Sequence, residues 1–319
     1  MPRMTTFVSR QPVLLGIGGA HIDRRGQVSG IYVPGASNPG TMREDVGGVV
    51  FNALRTARRR GVACALISLR GGDAGGERVA REIAEAGIED RSAVFLDRVT
   101  ASYTALIDRD GDLIAGFADM GLYDLFPRQL RRSACRDAIA GADAILCDAN
   151  LPAAALELLA ETAGGKPLHA IGISPAKVVR LAGMLDRVDC LFMNRKEANA
   201  LLGQEANYSA DPVAPLRARG LRGAVITDGA GAVTIFDAES RTAIVPPAPR
   251  HIADVTGAGD ALAGATVAAL ARGLSLAAAA REGLAAAMLA LESSLAVPTF
   301  DTEAFAQALA LVPMPVRVA

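Results

Sequence analysis

Ala253-Asp254-Val255-Thr256-Gly257-Ala258-Gly259-Asp260, running straight into Ala261-Leu262-Ala263-Gly264-Ala265, is the most telling stretch of this chain. Three small residues, Gly257, Ala258 and Gly259, precede a carboxylate and then an alanine-rich run of high helix propensity. A glycine-rich turn that opens a helix presents free backbone N–H groups and the positive end of the helix dipole, which together bind an anion. An aspartate at that spot puts negative charge where the anion would sit. The conflict vanishes if Asp260 is a general base, taking the proton of a hydroxyl that attacks a bound phosphoryl group. The competing explanation is an ordinary first-turn aspartate favoured by the dipole, and this segment alone leaves both open.

The 319 residues are 51 % hydrophobic and 21 % charged, which supplies a large core and argues against disorder. A formal net charge of −1 argues against a nucleic-acid surface built on bulk electrostatics. The one basic run, Arg55, Arg58, Arg59 and Arg60, reads as a solvated helix end. Cys64, Cys135, Cys147 and Cys190 are widely spaced, without C-x-x-C or neighbouring histidines, and read as buried thiols in a reducing compartment. Residues 1–11 are polar and lack a signal peptide's apolar core. No apolar run reaches membrane-spanning length without glycine or charge, so a cytoplasmic protein is expected.

Outward from the glycine loop, apolar strands and amphipathic helices alternate. Strands are expected at 13–17, 62–69, near Ile88, and at 144–147, 169–173 and 190–193. Helices are expected at 47–61, 76–86, 153–163, 176–184 and 195–202. Val225–Thr227 and Val233–Phe236 bracket a glycine-rich hairpin turn, and long helices follow Asp260. Apolar strands without alternation predict a parallel sheet covered on both faces, hence an α/β fold. Two segments break the rhythm. Residues 20–45 hold four glycines among β-prone pieces, and 92–119 contain the hairpin Ser102–Ile107, Asp110-Gly111, Leu113–Phe117. Together they predict a small β-sheet lid over a site at the strand C-termini, with an exposed edge suited to a homodimer.

Four further constellations carry possible chemistry. Gly16-Ile17-Gly18-Gly19-Ala20-His21-Ile22-Asp23 ends a strand in glycines with a carboxylate beyond. It fails the dinucleotide fingerprint at His21, and Asp23 reads as an acceptor for vicinal hydroxyls or as a loop aspartate. Gly47-Gly48 with Asn52 one turn on allows close backbone approach of a ligand, or makes a tight capped turn. Asn194 and Glu197 share a helix face that suits a water-bound Mg²⁺ near phosphates, and equally form a capping box. Thr227-Asp228-Gly229 lines a nucleotide phosphate or makes a hairpin turn. No G-x-x-x-x-G-K-[ST] occurs, which excludes a P-loop NTPase.

In this order, the Gly-Gly pairs, Asn-x-x-Glu, Thr-x-Gly and Asp-x-Thr-Gly-Ala-Gly-Asp resemble the ribokinase-like (PfkB) sugar and nucleoside kinases across residues 12–312. Within that family the chain is similar to the pseudouridine kinases. The segments behind this are Ser37–Gly40, Tyr103–Ala105 through Ala118–Met120, Asp148–Pro152, Ser174–Lys177 and Leu291–Ser294. The resemblance implies one three-layer α/β/α domain over 1–319 with a mainly parallel central sheet and a β-sheet lid. It also implies phosphorylation of the pseudouridine 5′-hydroxyl with ATP and Mg²⁺. By it, Asp260 is the base, and Gly257, Ala258 and Gly259 with the Asp260 N–H form the anion hole. Asp23, Gly48 and Asn52 hold the ribose hydroxyls, while Asn38 and Lys177 read the base. Asn194 and Glu197 position Mg²⁺ through water, Thr227 and Gly229 contact ATP phosphates, and Asp254 begins a loop that in some relatives supports K⁺. The chain departs from the pattern at Phe51, where relatives commonly carry Arg, and at 171–174, which lacks an Asp-Pro. Two rivals remain: a kinase of the same family for another nucleoside or sugar, and a non-catalytic nucleoside- or sugar-binding protein.

Overall fold

The strand β1 (Val13–Ile17) is apolar along its length because both its faces are covered. In the computed structural model, which describes residues 11–204, 211–295 and 297–318, Leu15 and Ile17 pack into one core and Leu14 into another on the opposite face. The segment 1–10 considered for a leader lies outside the described residues. From β1 the chain enters the long pair β2 (His21–Val28) and β3 (Gly40–Gly47), then α1 (Val49–Arg59), β4 (Ala63–Ile67), β5 (Leu69–Gly71) and α2 (Ala74–Glu85). Short strands β6 (Glu89–Asp90) and β7 (Ala93–Phe95) precede β8 (Ser102–Ile107) and β9 (Leu113–Asp119). Then come α3 (Phe126–Leu130), α4 (Ser133–Gly141), β10 (Ala144–Asp148), α5 (Ala153–Thr162), β11 (Leu168–Ile171), α6 (Pro175–Val178), β12 (Cys190–Asn194), α7 (Arg195–Leu202) and α8 (Val213–Ala218). The chain finishes with β13 (Ala224–Thr227), β14 (Val233–Phe236), β15 (Arg241–Ile244), α9 (Ala258–Ala271), α10 (Leu276–Leu291), α11 (Thr302–Leu311) and β16 (Val316–Arg317).

Strands β6, β4, β1, β10, β11, β12 and β13 run parallel in that spatial order, and β14, β15 and β16 extend the sheet antiparallel. Side chains alternate between two cores: Leu191 and Met193 of β12 face the core under α5 and α8, while Phe192 joins α1, α9 and α10. The result is the three-layer α/β/α sandwich that the sequence implies. Helix α9 is alanine-rich because it is buried nearly all round, between α1 and α10. A Cβ on Gly264 would collide with the Ala53 carbonyl, and one on Gly283 with Thr266, so small residues set these helix spacings.

The lid is a separate four-stranded sheet ordered β3-β2-β8-β9, built from the two segments that broke the α/β rhythm. Four expectations change in detail. Strand 62–69 divides at Ser68, because Leu69–Gly71 turns away to pair with β7. The strand near Ile88 shrinks to Glu89–Asp90, Ile88 itself being buried just before it. Helix 176–184 is one α-turn, Pro175–Val178, continuing as 3₁₀ through Val179–Arg187. The basic end of α1 is not merely solvated. Arg60 bonds Glu282 at 2.9 Å and lies 3.5 Å over the Phe305 ring, and Arg59 donates to the Pro298 carbonyl, tying α1 to the C-terminal helices. All four cysteines are free and buried. Among the described residues no helix is long and apolar enough to cross a membrane.

Candidate active site

Every parallel strand of the central sheet ends on the side where ligands bind in open α/β sheets, and the motif residues collect there. Helix α9 starts at Gly257, which takes φ +82°, a left-handed value that favours glycine, and no side chain caps this end. Its first-turn N–H groups therefore remain available to an anion. Asp260 sits in that first turn, and Asn52 Nδ2 donates to its Oδ2 at 3.0 Å. Burial pushes the Asp260 carboxyl up to about 7. The Asn52 bond opposes the shift, while Asp148 and Asp23 add to it. Asn52 Oδ1 is buried without a partner, an acceptor left open beside the reacting position.

Asp23 reaches the same group from the lid. His21 Nε2 lies 3.3 Å from Asp23 Oδ1, and His21 Nδ1 lies 3.2 Å from the buried Tyr123 hydroxyl. An imidazole with its proton on Nε2 donates to Asp23 and accepts from Tyr123, which fixes the Asp23 carboxylate. The Gly47-Gly48 pair is required by contact: a Cβ on Gly47 would strike the Asp23 carboxylate, and one on Gly48 the Gly19 carbonyl. Gly48 also takes φ +128°. Behind them Asp148 ends β10 fully buried, raised to about 6 by burial against the opposing N–H bonds of Asn150 and Val50. Its Oδ2 has no hydrogen-bond partner.

On the other side of Asp260 a cavity of about 340 Å³ is lined by Asn194, Glu197, Thr227, Gly259, Asp260 and apolar residues including Ile173, Phe192 and Val255. Here the capping box is real. Asn194 Oδ1 accepts the Glu197 N–H, while the Asn194 N–H and Nδ2 donate to Glu197 Oε2 and Oε1, each at 2.9 Å. Burial raises the Glu197 carboxyl, and the Asn194 bonds oppose this. A nucleotide-borne Mg²⁺ fits such a site through its waters, since Glu197 lines the cavity yet is held by Asn194. No cluster of three or more His, Cys, Asp or Glu that could cage a metal occurs among the described residues. Ile173 has φ +74°, the one positive φ among described non-glycine residues, and strain of this kind concentrates at functional sites.

The remaining expected residues scatter. Gly229 (φ +58°) lies in the β13–β14 turn, and it is not among the residues lining the cavity. Lys177 Nζ donates to Asn150 Oδ1 at 2.6 Å, and burial lowers its pKa with Asp148 opposing. Asn38 lies away from this group, in the loop joining β2 and β3. Its side chain accepts from the Val33 N–H and donates to the Val33 and Ala36 carbonyls, so it holds that loop. The Asp254 carboxylate is already engaged: Arg25 bonds its Oδ2 at 2.9 Å and the Thr256 N–H its Oδ1 at 2.8 Å. Burial pushes Asp254 up, but these bonds outweigh it and hold the carboxyl below its ordinary value. Reading the motifs alone missed Arg25, Tyr123 and the role of Asp148. Only Asp148 carried a signal, as a carboxylate closing an apolar strand at the carboxyl edge of a parallel sheet.

Known proteins resemble this chain in sequence and fold. The model of the pfkB family carbohydrate kinases matches residues 14–303. The pseudouridine kinase of Escherichia coli K12 is 27 % identical over 251 residues, covering 77 % of this chain and 80 % of that protein. A carbohydrate kinase from Agrobacterium tumefaciens superimposes with a TM-score of 0.87 at 45 % identity, over 96 % of this chain and all of the other. Arabidopsis thaliana ribokinase, complexed with ribose and ATP, superimposes with a TM-score of 0.81 at 20 % identity, over 94 % of this chain and 99 % of the ribokinase. The matched span runs from the first strand through the Asp260 loop to the closing helices, and the chain belongs to the pfkB family of carbohydrate kinases.

Proposed function

We propose that this chain transfers the γ-phosphoryl group of ATP to the 5′-hydroxyl of pseudouridine, giving pseudouridine 5′-phosphate and ADP. Membership of the pfkB family makes it a phosphotransferase with an alcohol acceptor. The observation that carries the reading is Asp260, raised to about 7 and held by Asn52 beside the uncapped start of α9. A base with that pKa is ionised enough near neutrality and basic enough to take an alcohol proton as the oxygen attacks. The 5′-oxygen then bonds to the γ-phosphorus, the bond to the β–γ bridging oxygen breaks, and ADP leaves. Charge on the transferring group is met by the first-turn N–H groups of Ala258, Gly259 and Asp260. Mg²⁺ bound to the nucleotide would neutralise phosphate charge, its waters facing Glu197 and Asn194.

Asp23, oriented by His21, accepts from ribose hydroxyls, and the open Asn52 Oδ1 accepts a hydrogen bond from another hydroxyl. Lys177 and Asn150 together supply a donor and an amide for a polar base edge. Asn38 belongs to this side of the reading only if its loop rearranges around the nucleoside. The homodimer suggested by the lid would use its free edge strands β3 and β9, where Met42 and Phe117 are exposed. Pseudouridine as acceptor is supported by the match to the E. coli pseudouridine kinase. A second acceptor class, another nucleoside or a sugar, is favoured by the carbohydrate kinase at 45 % identity. ADP release with Mg²⁺-ATP against pseudouridine, uridine, inosine, adenosine and ribose decides between them. Preference for pseudouridine is expected, and preference for any other acceptor overturns the substrate. Binding of pseudouridine without turnover on any acceptor would point to a binding protein.

A further inference from the structure

Arg25, a side chain of the lid, ties the lid to the anion-hole loop. Arg25 of β2 donates through Nη1 to Asp254 Oδ2 at 2.9 Å and through Nη2 to Thr256 Oγ1 at 3.0 Å, across 229 residues of sequence in the first case. Asp254 Oδ1 accepts the Thr256 N–H at 2.8 Å, so Arg25, Asp254 and Thr256 close a ring of hydrogen bonds. Thr256 immediately precedes Gly257, the residue from which α9 starts. The ring therefore fixes the backbone just before the N–H groups that face the transferring phosphoryl. The ion pair is half-buried, with side-chain exposures of 40 % for Arg25 and 22 % for Asp254, so solvent screens it only in part.

The family resemblance implies a monovalent cation beside the loop that Asp254 begins. Here both Asp254 carboxylate oxygens are engaged, one by a guanidinium that is always charged and presents two donors in a fixed fork. A cation bound at Asp254 would have to displace that fork, so the residues present do not fit one. Arg25 also shares a face of β2 with Asp23, two residues away along the strand, because side chains alternate. One strand thus carries the ribose-facing carboxylate and the tie to the anion hole about 7 Å apart. The polar space between them, about 130 Å³, is lined by Asp23, Arg25, Asn52, Asp254 and Thr256 among others.

We infer that Arg25 is a positioning residue that serves as the built-in cation of the anion-hole loop. It neutralises Asp254 and orders Thr256 from the lid, in the place of a monovalent ion, so seating the lid and setting the start of α9 are one event. The inference rests on the anion-hole reading of the Gly257–Asp260 turn. Its first test needs no substrate. Hydrogen exchange of the 254–260 amides in the wild-type protein is expected to be the same in KCl and in choline chloride at equal ionic strength. Exchange there is expected to quicken in Arg25→Met. Slowing of wild-type exchange by K⁺, or unchanged exchange in Arg25→Met, would overturn the inference.

Turnover is the second readout. Wild-type kcat is expected to differ by less than about twofold between the two salts, and Arg25→Met to lose on the order of 10–100-fold in kcat with a smaller change in acceptor KM. Added guanidinium is expected to restore part of that loss. Saturable activation of the wild type by K⁺, or a loss in Arg25→Met that guanidinium leaves untouched, would count against it. If Arg25→Met does not fold, Arg25→Lys keeps the charge without the fork. It is expected to melt near the wild type and fall between the two in kcat, and wild-type turnover in Arg25→Lys would sink the idea. Silence of the wild type on every acceptor would instead sink the kinase reading and leave the exchange result standing.

Discussion

Helices α7 and α9 start on the same edge of the sheet and border the same cavity, yet one start is closed and the other open. At α7 the Asn194 and Glu197 side chains bond each other and the Asn194 and Glu197 N–H groups, so the helix start is capped by its own residues. At α9 a left-handed glycine replaces a capping side chain, and the first turn keeps its N–H groups for a ligand. Both ends carry a carboxyl that burial raises, Glu197 at the closed end against its bonds to Asn194 and Asp260 at the open end to about 7. A helix start left unsatisfied is thus the better guide to chemistry than one dense with polar residues.

The largest effect should come from the open end. Asp260→Asn should cut kcat by roughly 10²–10⁴-fold with ATP binding intact, measured by single-turnover assay and nucleotide titration. It should not lower the Tm at pH 8, because it removes a carboxylate that burial disfavours in its charged form. Near-wild-type turnover would end the base assignment. At the closed end the pattern should reverse. Asn194→Ala should cost about 1 kcal/mol, the usual loss of a cap, seen as a fall of about 2 °C in Tm. A collapse of turnover with unchanged Tm would instead mean that Asn194 serves the nucleotide more than the helix.

The smallest effect is one of pH. Ionisation of Asp260 makes kcat/KM rise as pH climbs through about 7, and Asp148 beside it contributes to that value. Asp148→Asn should move this acidic limb downward, measured from kcat/KM profiles between pH 5 and 9. An unmoved limb would separate the two carboxyls. The same groups act oppositely on stability. Both carboxyls have folded values raised above their ordinary range, so the folded state holds protons more tightly than the unfolded one. Their contribution is most favourable below about pH 4 and is lost as pH rises toward 6 and 7. The protein gains its base where it gives up some of its stability.

Much of this was legible in sequence because it rests on local backbone chemistry. Gly257, Gly48 and the Asn194–Glu197 spacing declare themselves through left-handed turns and helix-face periodicity. The alternation of apolar strands with helices gave away the parallel sheet, and the two β-rich interruptions the lid. What stayed hidden depends on pairing at a distance. Arg25 reads as one more charge on a strand until Asp254 is seen opposite it, and Tyr123 meets Asp23 by way of His21. Asn38 is placed at the base only by the resemblance of its Ser-Asn-Pro-Gly segment, whereas its three bonds stay within its own loop.

The close backbone contact at Gly264 has a bearing on synthesis. Helix α1 buries Val50, Phe51, Ala53, Leu54 and Ala57, and it packs heavily on α9. On a ribosome α9 arrives about 200 residues after α1. At 5–20 residues per second that gap lasts roughly 10–40 s. During that interval the nascent chain carries a finished, sticky helix that packs on β1, β4 and β10 but lacks α9, and the lid has no anion-hole loop to grip. Production of this protein should therefore respond to chaperones that shield early helices, and chains cut before residue 258 should gather in the insoluble fraction.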